Sequence, residues 1–290
     1  MDDSAVKETR QILRRVQDHL FQAHTALGVT HESVGFVDVI YHHANTVPDL
    51  NYVMPRRNTA WVSGKFVQQG LERLRALSRV PRVQYIEGLY PPQFAKALSD
   101  LGLEPERVTE IMAYTFDSPN QKLPRTSSPA GVHLETYTDH SANALWLSLW
   151  QDDAFDVLTL GVEPLAVGRE SGAIQTADVV MRRDDTVIGV VRVGIQPNTG
   201  SAHVVALALL RAERSQRLTK VLLTAAMRAA IKQGCTLIFA PGESDDDRDI
   251  AHKLGFVDVG TMVCFAARAE SGKEVRGHDN LQQPVLARRK

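Results

Sequence analysis

Residues 202–240 read AHVVALALLRAERSQRLTKVLLTAAMRAAIKQGCTLIFA and contain a strand–helix–strand pattern. The apolar run from Ala202 to Leu210 predicts a buried strand. Apolar residues then recur at helical spacing from about Gln216 to Lys232, and Gly234 is suited to end that helix because glycine tolerates positive φ. The second apolar run, Thr236 to Ala240, predicts the returning strand. We therefore predict an α/β fold in which a mixed central sheet is flanked by helices.

The turn between the first strand and the helix is strongly basic. Its cations are Arg211, Arg214, Arg217 and Lys220. A helix start presents unpaired N–H groups and the positive end of the helix dipole, so it favours anions. Guanidinium groups also bind phosphate through their own donors. The turn is therefore a candidate phosphate site, and an ordinary helix start with a solvated basic face is the alternative.

Further strands and helices are predicted on both sides of this unit. In the second half they are a strand over 132–137, helical structure over 141–158, strands over 177–182 and 186–195, a helix over 247–254 and a strand pair within 257–267. In the first half they are a helix over 4–27, strands over 36–41 and 52–54, a helix over 58–78, a strand over 83–86, a helix over 91–102 and a strand over 111–116.

A proline-rich segment separates the two halves. Pro119, Pro124 and Pro129 interrupt a stretch that has no hydrophobic period. We therefore predict a first domain over 1–116, a linker over 117–131, a second domain over 132–268 and a polar, mobile tail over 269–290.

Composition excludes several classes of protein. Lys and Arg number 33 against 34 Asp and Glu, so no overall field favours nucleic acid or an anionic membrane. The two cysteines, Cys235 and Cys264, lie in apolar runs and form no zinc or disulfide pattern. The acidic start and the absence of a long apolar run predict a cytoplasmic protein with no membrane or nucleic-acid partner. His42-His43 with Asp38 and Asp49 matches no compact ligand motif, so we predict no metal.

The order of elements in the second half, ending in Leu254-Gly255-Phe256, resembles the GNAT acetyltransferase superfamily. The most diagnostic stretch is 209–219, which lies where that family has its pyrophosphate loop, and there Arg214 and Gln216 agree with the family pattern. The first half resembles, less specifically, the degenerate N-terminal half of two-domain GNAT-like proteins. The resemblance implies a GNAT-like fold in two tandem domains, with acetyl-CoA as the acyl donor.

The resemblance also assigns residues to the donor. Pantetheine would lie against free backbone groups of the strand and pyrophosphate against the turn. The implied cofactor-binding residues are Leu207, Ala208, Leu209, Arg214, Ser215, Gln216, Arg217, Leu218, Thr219 and Lys220. Arg217 and Thr219 stand where the family has its most important glycines, so their side chains would crowd the phosphates. We expect weak, salt-dependent donor binding in which Arg217 replaces backbone contacts.

Catalytic residues are harder to assign. The family commonly has a tyrosine four residues before the Gly-Phe pair, which protonates the leaving thiolate, but that position is Ala251. The adjacent His252 would point about 100° away on a helix, so it does not simply substitute. The strand offers His203 as a candidate general base, with a structural role as the alternative. Trp150 and Asp152 lie in the region that walls the acceptor pocket in this family, and core packing is the alternative for Trp150.

Two functions stay open. The first is an N-acetyltransferase in which a small-molecule or peptide amine attacks the thioester directly, while a strand N–H near Leu209 polarises the acetyl carbonyl. The second is a non-catalytic acyl-CoA sensor or interaction protein, favoured by Arg217, Thr219 and Ala251. The sequence leaves a homodimer open.

Overall fold

A computed structural model of the 290-residue chain describes residues 3–57, 59, 61–118, 121–159, 175–242 and 244–267. The helices are α1 (Asp3–Ala26), α2 (Gly64–Ala76), α3 (Gln93–Asp100), α4 (Asn143–Leu149), α5 (Gln216–Lys232) and α6 (Asp245–His252). The strands are β1 (Thr30–Val34), β2 (Val37–Tyr41), β3 (Tyr52–Pro55), β4 (Arg82–Ile86), β5 (Leu103–Thr115), β6 (Val132–Tyr137), β7 (Phe155–Thr159), β8 (Gln175–Arg183), β9 (Thr186–Gln196), β10 (Ser201–Leu210), β11 (Leu237–Gly242) and β12 (Val257–Ala267).

All the described strands belong to one mixed sheet. Its order is β1-β2-β3-β4-β12-β5-β11-β10-β9-β8-β6, and β7 pairs with β10 beside this path. The strand–helix–strand unit predicted around the basic turn is β10, α5 and β11, which confirms the predicted α/β fold. α5 packs on β8, β9, β10 and β11, and this interface forms the largest apolar core of the second half.

The two halves exchange strands at the centre of the sheet. β5, from the first half, lies between β11 and β12 of the second half, and β12 lies between β4 and β5 of the first. In this antiparallel ladder Val257 pairs with Ala113 at one end and Ala267 with Leu103 at the other. Each half therefore completes its sheet with a strand from the other half.

α1 connects both halves on one face of the sheet. The Arg15 guanidinium donates to the carbonyl oxygen of Gly200 at 2.8 Å, and His19 Nδ1 lies 2.9 Å from Ser201 Oγ. Near the end of the same helix, His24 Nδ1 lies 2.9 Å from Tyr52 Oη in the first half. Gly28 ends the helix region at φ 89°, as its position in the sequence predicts.

Three sequence predictions need correction. Residues 141–158 are not helical throughout, because α4 stops at Leu149 and the chain forms β7 from Phe155, where Phe155 and Val157 suit a strand. Residues 257–267 form one strand and not a pair, because the antiparallel partner of β12 is β5. The strand predicted over 111–116 begins eight residues earlier, at Leu103, where β12 continues beside it.

Residues 117, 118 and 121–129 form neither helix nor strand. The division into two domains around them stays a prediction, since the sheet itself runs through both halves. The tail predicted over 269–290 lies outside the described residues. No helix within those described is long and apolar enough to cross a membrane.

Candidate functional site

A cleft opens where two parallel strands diverge. β10 and β11 pair only from Ser201 to His203, opposite Leu237 to Phe239, and then separate. The space between them has a volume of about 320 Å³. It is lined by Met112, Asp156, Leu158, Val204, Leu207, Leu209, Arg214, Thr219, Leu223, Ala240, Pro241, Ser244, Asp247, Ala251 and Phe256. The walls are mainly apolar. Of the charged lining residues, Arg214 and Asp247 lie at the starts of the two helices that follow the strands, and Asp156 lies on β7.

The backbone of β10 is irregular at the inner end of this cleft. A β-bulge lies between Val204, which pairs with Val193, and Ala206, which pairs with Arg192. Within the described strands, Val205 consequently pairs with no residue of β9, β11 or β7. A bulge redirects backbone groups out of the ladder, so this is a place where a strand N–H can serve a ligand.

The basic turn forms the outer end of the cleft. Ser215 is the N-cap of α5, and its hydroxyl accepts the N–H of Leu218 at 3.4 Å. Thr219 Oγ1 donates to the Ser215 carbonyl at 3.2 Å, so its side chain folds back onto its own helix. The N–H groups of Gln216 and Arg217 start the helix, where no intrahelical acceptor precedes them. This helix start therefore retains two backbone donors for an anion.

Only some of the predicted cations reach the cleft. Arg214 lines it, while Arg217 lies 3.3 Å from Ser127 Oγ on the segment between the halves. Neither Arg211 nor Lys220 belongs to the described lining. The expectation that Arg217 replaces the backbone contacts to phosphate has no support in this geometry, because its guanidinium is directed to Ser127.

The edge of β10 in the cleft is paired, whereas the resemblance implied free backbone groups there. Leu207, Ala208 and Leu209 pair with Leu158, Val157 and Asp156 of β7. Asp156 also forms an ion pair with Arg214. This pairing is not predicted from the sequence, because the predicted helical structure over 141–158 includes most of β7.

The far wall comes from α6. Ser244 caps this helix, and its hydroxyl lies 2.6 Å from Asp247 Oδ2 while it accepts the Asp247 N–H at 3.2 Å. Asp245, Asp246 and Asp247 occupy the first turn, where negative charge is favourable against the helix dipole. Ala251 is buried and faces the cleft, whereas His252 points outward and lies 3.1 Å from Asp258.

Residues 139–256 match the sequence profile of the Acetyltransferase (GNAT) family. This part of the second half is therefore similar to GNAT acetyltransferase domains. The resemblance seen in its sequence is thereby confirmed, and its residues 201–256 contain both strands and both helices that form the cleft.

Solved structures share the fold over most of the chain. A GCN5-related N-acetyltransferase from Kribbella flavida superimposes with a TM-score of 0.70 at 20% identity, covering 89% of this chain and 96% of that one. A GCN5-related N-acetyltransferase from Sphaerobacter thermophilus gives 0.56 at 13% identity, with 79% and 76% covered. A tandem GNAT protein from the clavulanic acid biosynthesis pathway gives 0.54 at 16% identity, with 74% of each chain covered. No curated protein matches the chain.

His203 lies away from the cleft. It is 3% exposed, and its ring stacks on Phe239 with centroids 4.5 Å apart. His19 of α1 meets both rings edge-on. His203 thus packs on the face that α1 covers, whereas the cleft side of β10 is formed by Val204, Leu207 and Leu209.

The predicted acceptor residues lie in the turn between α4 and β7. Trp150 is half-buried beside Trp146, with ring centroids 6.3 Å apart, and Asp152 is exposed and accepts the N–H of Ala154 at 2.9 Å. Neither belongs to the described cleft lining. Through its hydrogen bond with Ala154, Asp152 has a local structural role in this turn.

Sequence analysis missed a buried polar network under α4. Asp178 on β8 receives two bonds from Arg192 on β9, at 2.7 and 2.8 Å, and one from Trp146 Nε1 at 2.9 Å. Arg192 also donates to Asn143 Oδ1 at 2.7 Å. The signal was present as Asp178 and Arg192, which stand among apolar neighbours in the middle of two strands. The network fixes α4 on the sheet, next to the strand that borders the cleft.

Within the described residues, no group of three or more His, Cys, Asp or Glu side chains is arranged to hold a metal ion.

Proposed function

We propose that the protein is an acetyl-CoA-dependent N-acetyltransferase that acts on a small-molecule or peptide amine. The observation that carries the proposal is the cleft between β10 and β11, which combines an apolar interior with a helix start at its mouth. An acyl-CoA has a matching order of parts, since a long, weakly polar arm connects its phosphates to the thioester. The similarity of residues 139–256 to the GNAT family supports the same reaction class.

The residues present fit such a donor at three points. Arg214 and the first N–H groups of α5 can hold phosphate oxygens. Leu207, Leu209 and Leu223 can line the apolar arm. The bulge at Val205 can direct a backbone N–H at the acetyl oxygen, and charge that develops there is stabilised most by fixed donors in a water-poor site. Bound acetyl-CoA would supply an activated acetyl group, because a thioester carbonyl is electrophilic.

The proposed reaction is direct attack by the amine nitrogen. A new C–N bond forms, the C–S bond breaks, and the amine loses a proton to a base or to water. The described cleft lining contains no tyrosine, so we propose that the leaving sulfur takes its proton from solvent. We assign His203 a packing role at the junction of β10 and β11, because its buried ring stacks on Phe239.

A non-catalytic acyl-CoA sensor is the second candidate. The observation that favours it is Ala251, which faces the cleft where this family commonly has the tyrosine acid. Thiol release distinguishes the two functions. The full-length protein is mixed with acetyl-CoA and a panel of primary amines, and free thiol is followed over time.

If the protein is an enzyme, thiol release should depend on one class of amine and saturate with acetyl-CoA. The sensor predicts saturable acetyl-CoA binding by calorimetry with no amine-dependent thiol release. Absence of binding would contradict both candidates.

A further inference from the structure

β7 occupies the edge of β10 that the divergence from β11 exposes. β9 pairs along one edge of β10, while β11 uses the other edge only as far as His203. From Ala206 to Leu210 this second edge pairs antiparallel with the five residues of β7. The N–H of Arg211 extends the contact, since it donates to the carbonyl of Ala154 at 2.8 Å.

Side chains of β7 alternate between the cleft and the core. Asp156 and Leu158 line the cleft, whereas Phe155 and Val157 pack in the apolar cluster of Trp146 under α4. Asp156 reaches the mouth of the cleft and forms its ion pair with Arg214 there. One short strand therefore fills the polar mouth with a carboxylate, the apolar wall with a leucine and the strand edge with backbone amides.

We propose that β7 is an internal occupant of the donor cleft, and that it separates from β10 before acyl-CoA binds. This inference rests on the proposed function, because it concerns access to the same site. The two amide groups of a pantetheine arm can pair with a strand edge, as in β-strand addition. A phosphate can pair with Arg214 in place of a carboxylate. The donor and β7 thus compete for the same groups of the protein.

The contacts that β7 makes with Arg214 and with the backbone of β10 are of a kind that a donor can replace. The Arg214 and Asp156 side chains are 58% and 39% exposed, so water screens their attraction. A bound donor would replace the backbone hydrogen bonds lost from β10. α4 can stay in place, because Trp146, Asp178 and Arg192 fix it to the sheet independently of β7. The exposed turn from Gln151 to Ala154 is then the hinge.

Under competition the apparent donor affinity equals the intrinsic affinity multiplied by the fraction of molecules in which β7 is displaced. Asp156→Asn removes the carboxylate from Arg214 and keeps the size of the side chain. We expect acetyl-CoA to bind the full-length variant about two- to fivefold more tightly, as the loss of an exposed ion pair predicts. Asp100→Asn is the matched control, because it removes the same charge at the exposed end of α3. Equal or weaker binding by Asp156→Asn than by the control would argue against competition.

A disulfide between β7 and β10 provides the stronger test. Val157 and Ala208 are directly paired and both belong to the apolar cluster under α4, so cysteines there would not enter the cleft. The native thiols should not interfere, since burial raises the pKa of Cys235 to about 11 and that of Cys264 to about 12. The measurement is acetyl-CoA binding by calorimetry to Val157→Cys/Ala208→Cys, first oxidised and then reduced with a phosphine.

We expect the reduced variant to bind acetyl-CoA and the oxidised variant to lose at least 90% of its affinity, corresponding to about 1.4 kcal/mol or more. Recovery on reduction would exclude damage to the fold. Equal binding in both states would overturn the role of β7 and leave the donor site intact. Absence of binding in both states and in the unaltered protein would instead overturn the donor assignment, and the competition with it.

Discussion

Arg214 stands out among the cations of the basic turn because it alone of those four belongs to the described cleft lining. Its position is set by the extended residues before α5, where Ser215 caps the helix. Arg217, three residues later, turns to Ser127 instead. Sequence spacing could not separate the two, because both lie within one turn of the same helix start.

Replacing Arg214 tests which cation meets the donor. Arg214→Ala should weaken acetyl-CoA binding about tenfold, since it removes a charge-assisted hydrogen bond and recovers only the small cost of breaking the Asp156 pair. Arg217→Ala is the control, with an expected change of less than about twofold at moderate salt. Calorimetry on both variants measures the difference. A larger loss in Arg217→Ala would restore the sequence-based expectation.

Buried charged side chains hold α4 against the neighbouring strands β8 and β9. The Arg192 side chain is 3% exposed and that of Asp178 is fully buried, and each has an additional polar partner. The net stabilisation by such a buried ion pair is small. Removing one member costs more free energy, because the other charge then stays buried without a partner. The network therefore positions α4, and with it the hinge that leads into β7.

Arg192→Met should reduce the free energy of unfolding by about 3–5 kcal/mol, because it leaves Asp178 buried without its main partner. Asp178→Val in addition should recover part of that loss by removing the unpaired charge. Urea unfolding of the full chain measures both changes. A cost below about 1 kcal/mol for Arg192→Met would mean that water or other polar groups stabilise the Asp178 carboxylate in place of Arg192.

Strand exchange between β5 and β12 makes the two halves interdependent. Arg82 on β4 and Glu106 on β5 form a bidentate ion pair at 2.7 and 2.8 Å across β12, which lies between those strands. The division into domains over 1–116 and 132–268 stays a prediction. Their folding, however, should be a single event, because neither completes its sheet alone.

Removal of β12 tests this interdependence. A chain that ends at Phe256 should lose the cooperative thermal transition of the whole molecule, including the part that reports on the first half. Far-ultraviolet circular dichroism with tyrosine absorbance follows both parts, since five of the six tyrosines lie before residue 120. A sharp transition retained by the truncated chain would show that the first half folds without β12.

Acid should weaken the Arg82–Glu106 ion pair that spans β12. The hydrogen bonds from Arg82 lower the pKa of Glu106 below its ordinary value of 4.5. Because the folded pKa is lowered, this stabilisation is present above the unfolded pKa and is lost as pH falls through the folded value. Glu106→Gln should cost about 1 kcal/mol at neutral pH, allowing for exposure of the carboxylate, and the difference from the unaltered protein should shrink as the pH falls below 4.5. A difference that stays constant or grows as the solution is acidified would contradict this account.

The sequence predicted those parts of the fold that local pattern determines. α5 and β6 have the predicted ends, because apolar spacing, a serine cap and glycine act within a few residues of each other. The partner of β12 could not be predicted, since any antiparallel apolar strand satisfies the same pattern. The face of β10 on which His203 lies could not be predicted for a similar reason. β10 is apolar on both faces, so its sequence does not indicate which face a single polar side chain occupies.

Amide hydrogen exchange of the full-length protein, with and without saturating acetyl-CoA, tests the donor site most directly. The proposal predicts new protection at Val204 and Val205 and across 214–219, together with faster exchange in 155–159 as β7 leaves β10. Protection confined to the first half, or an exchange pattern unchanged by acetyl-CoA, would contradict it.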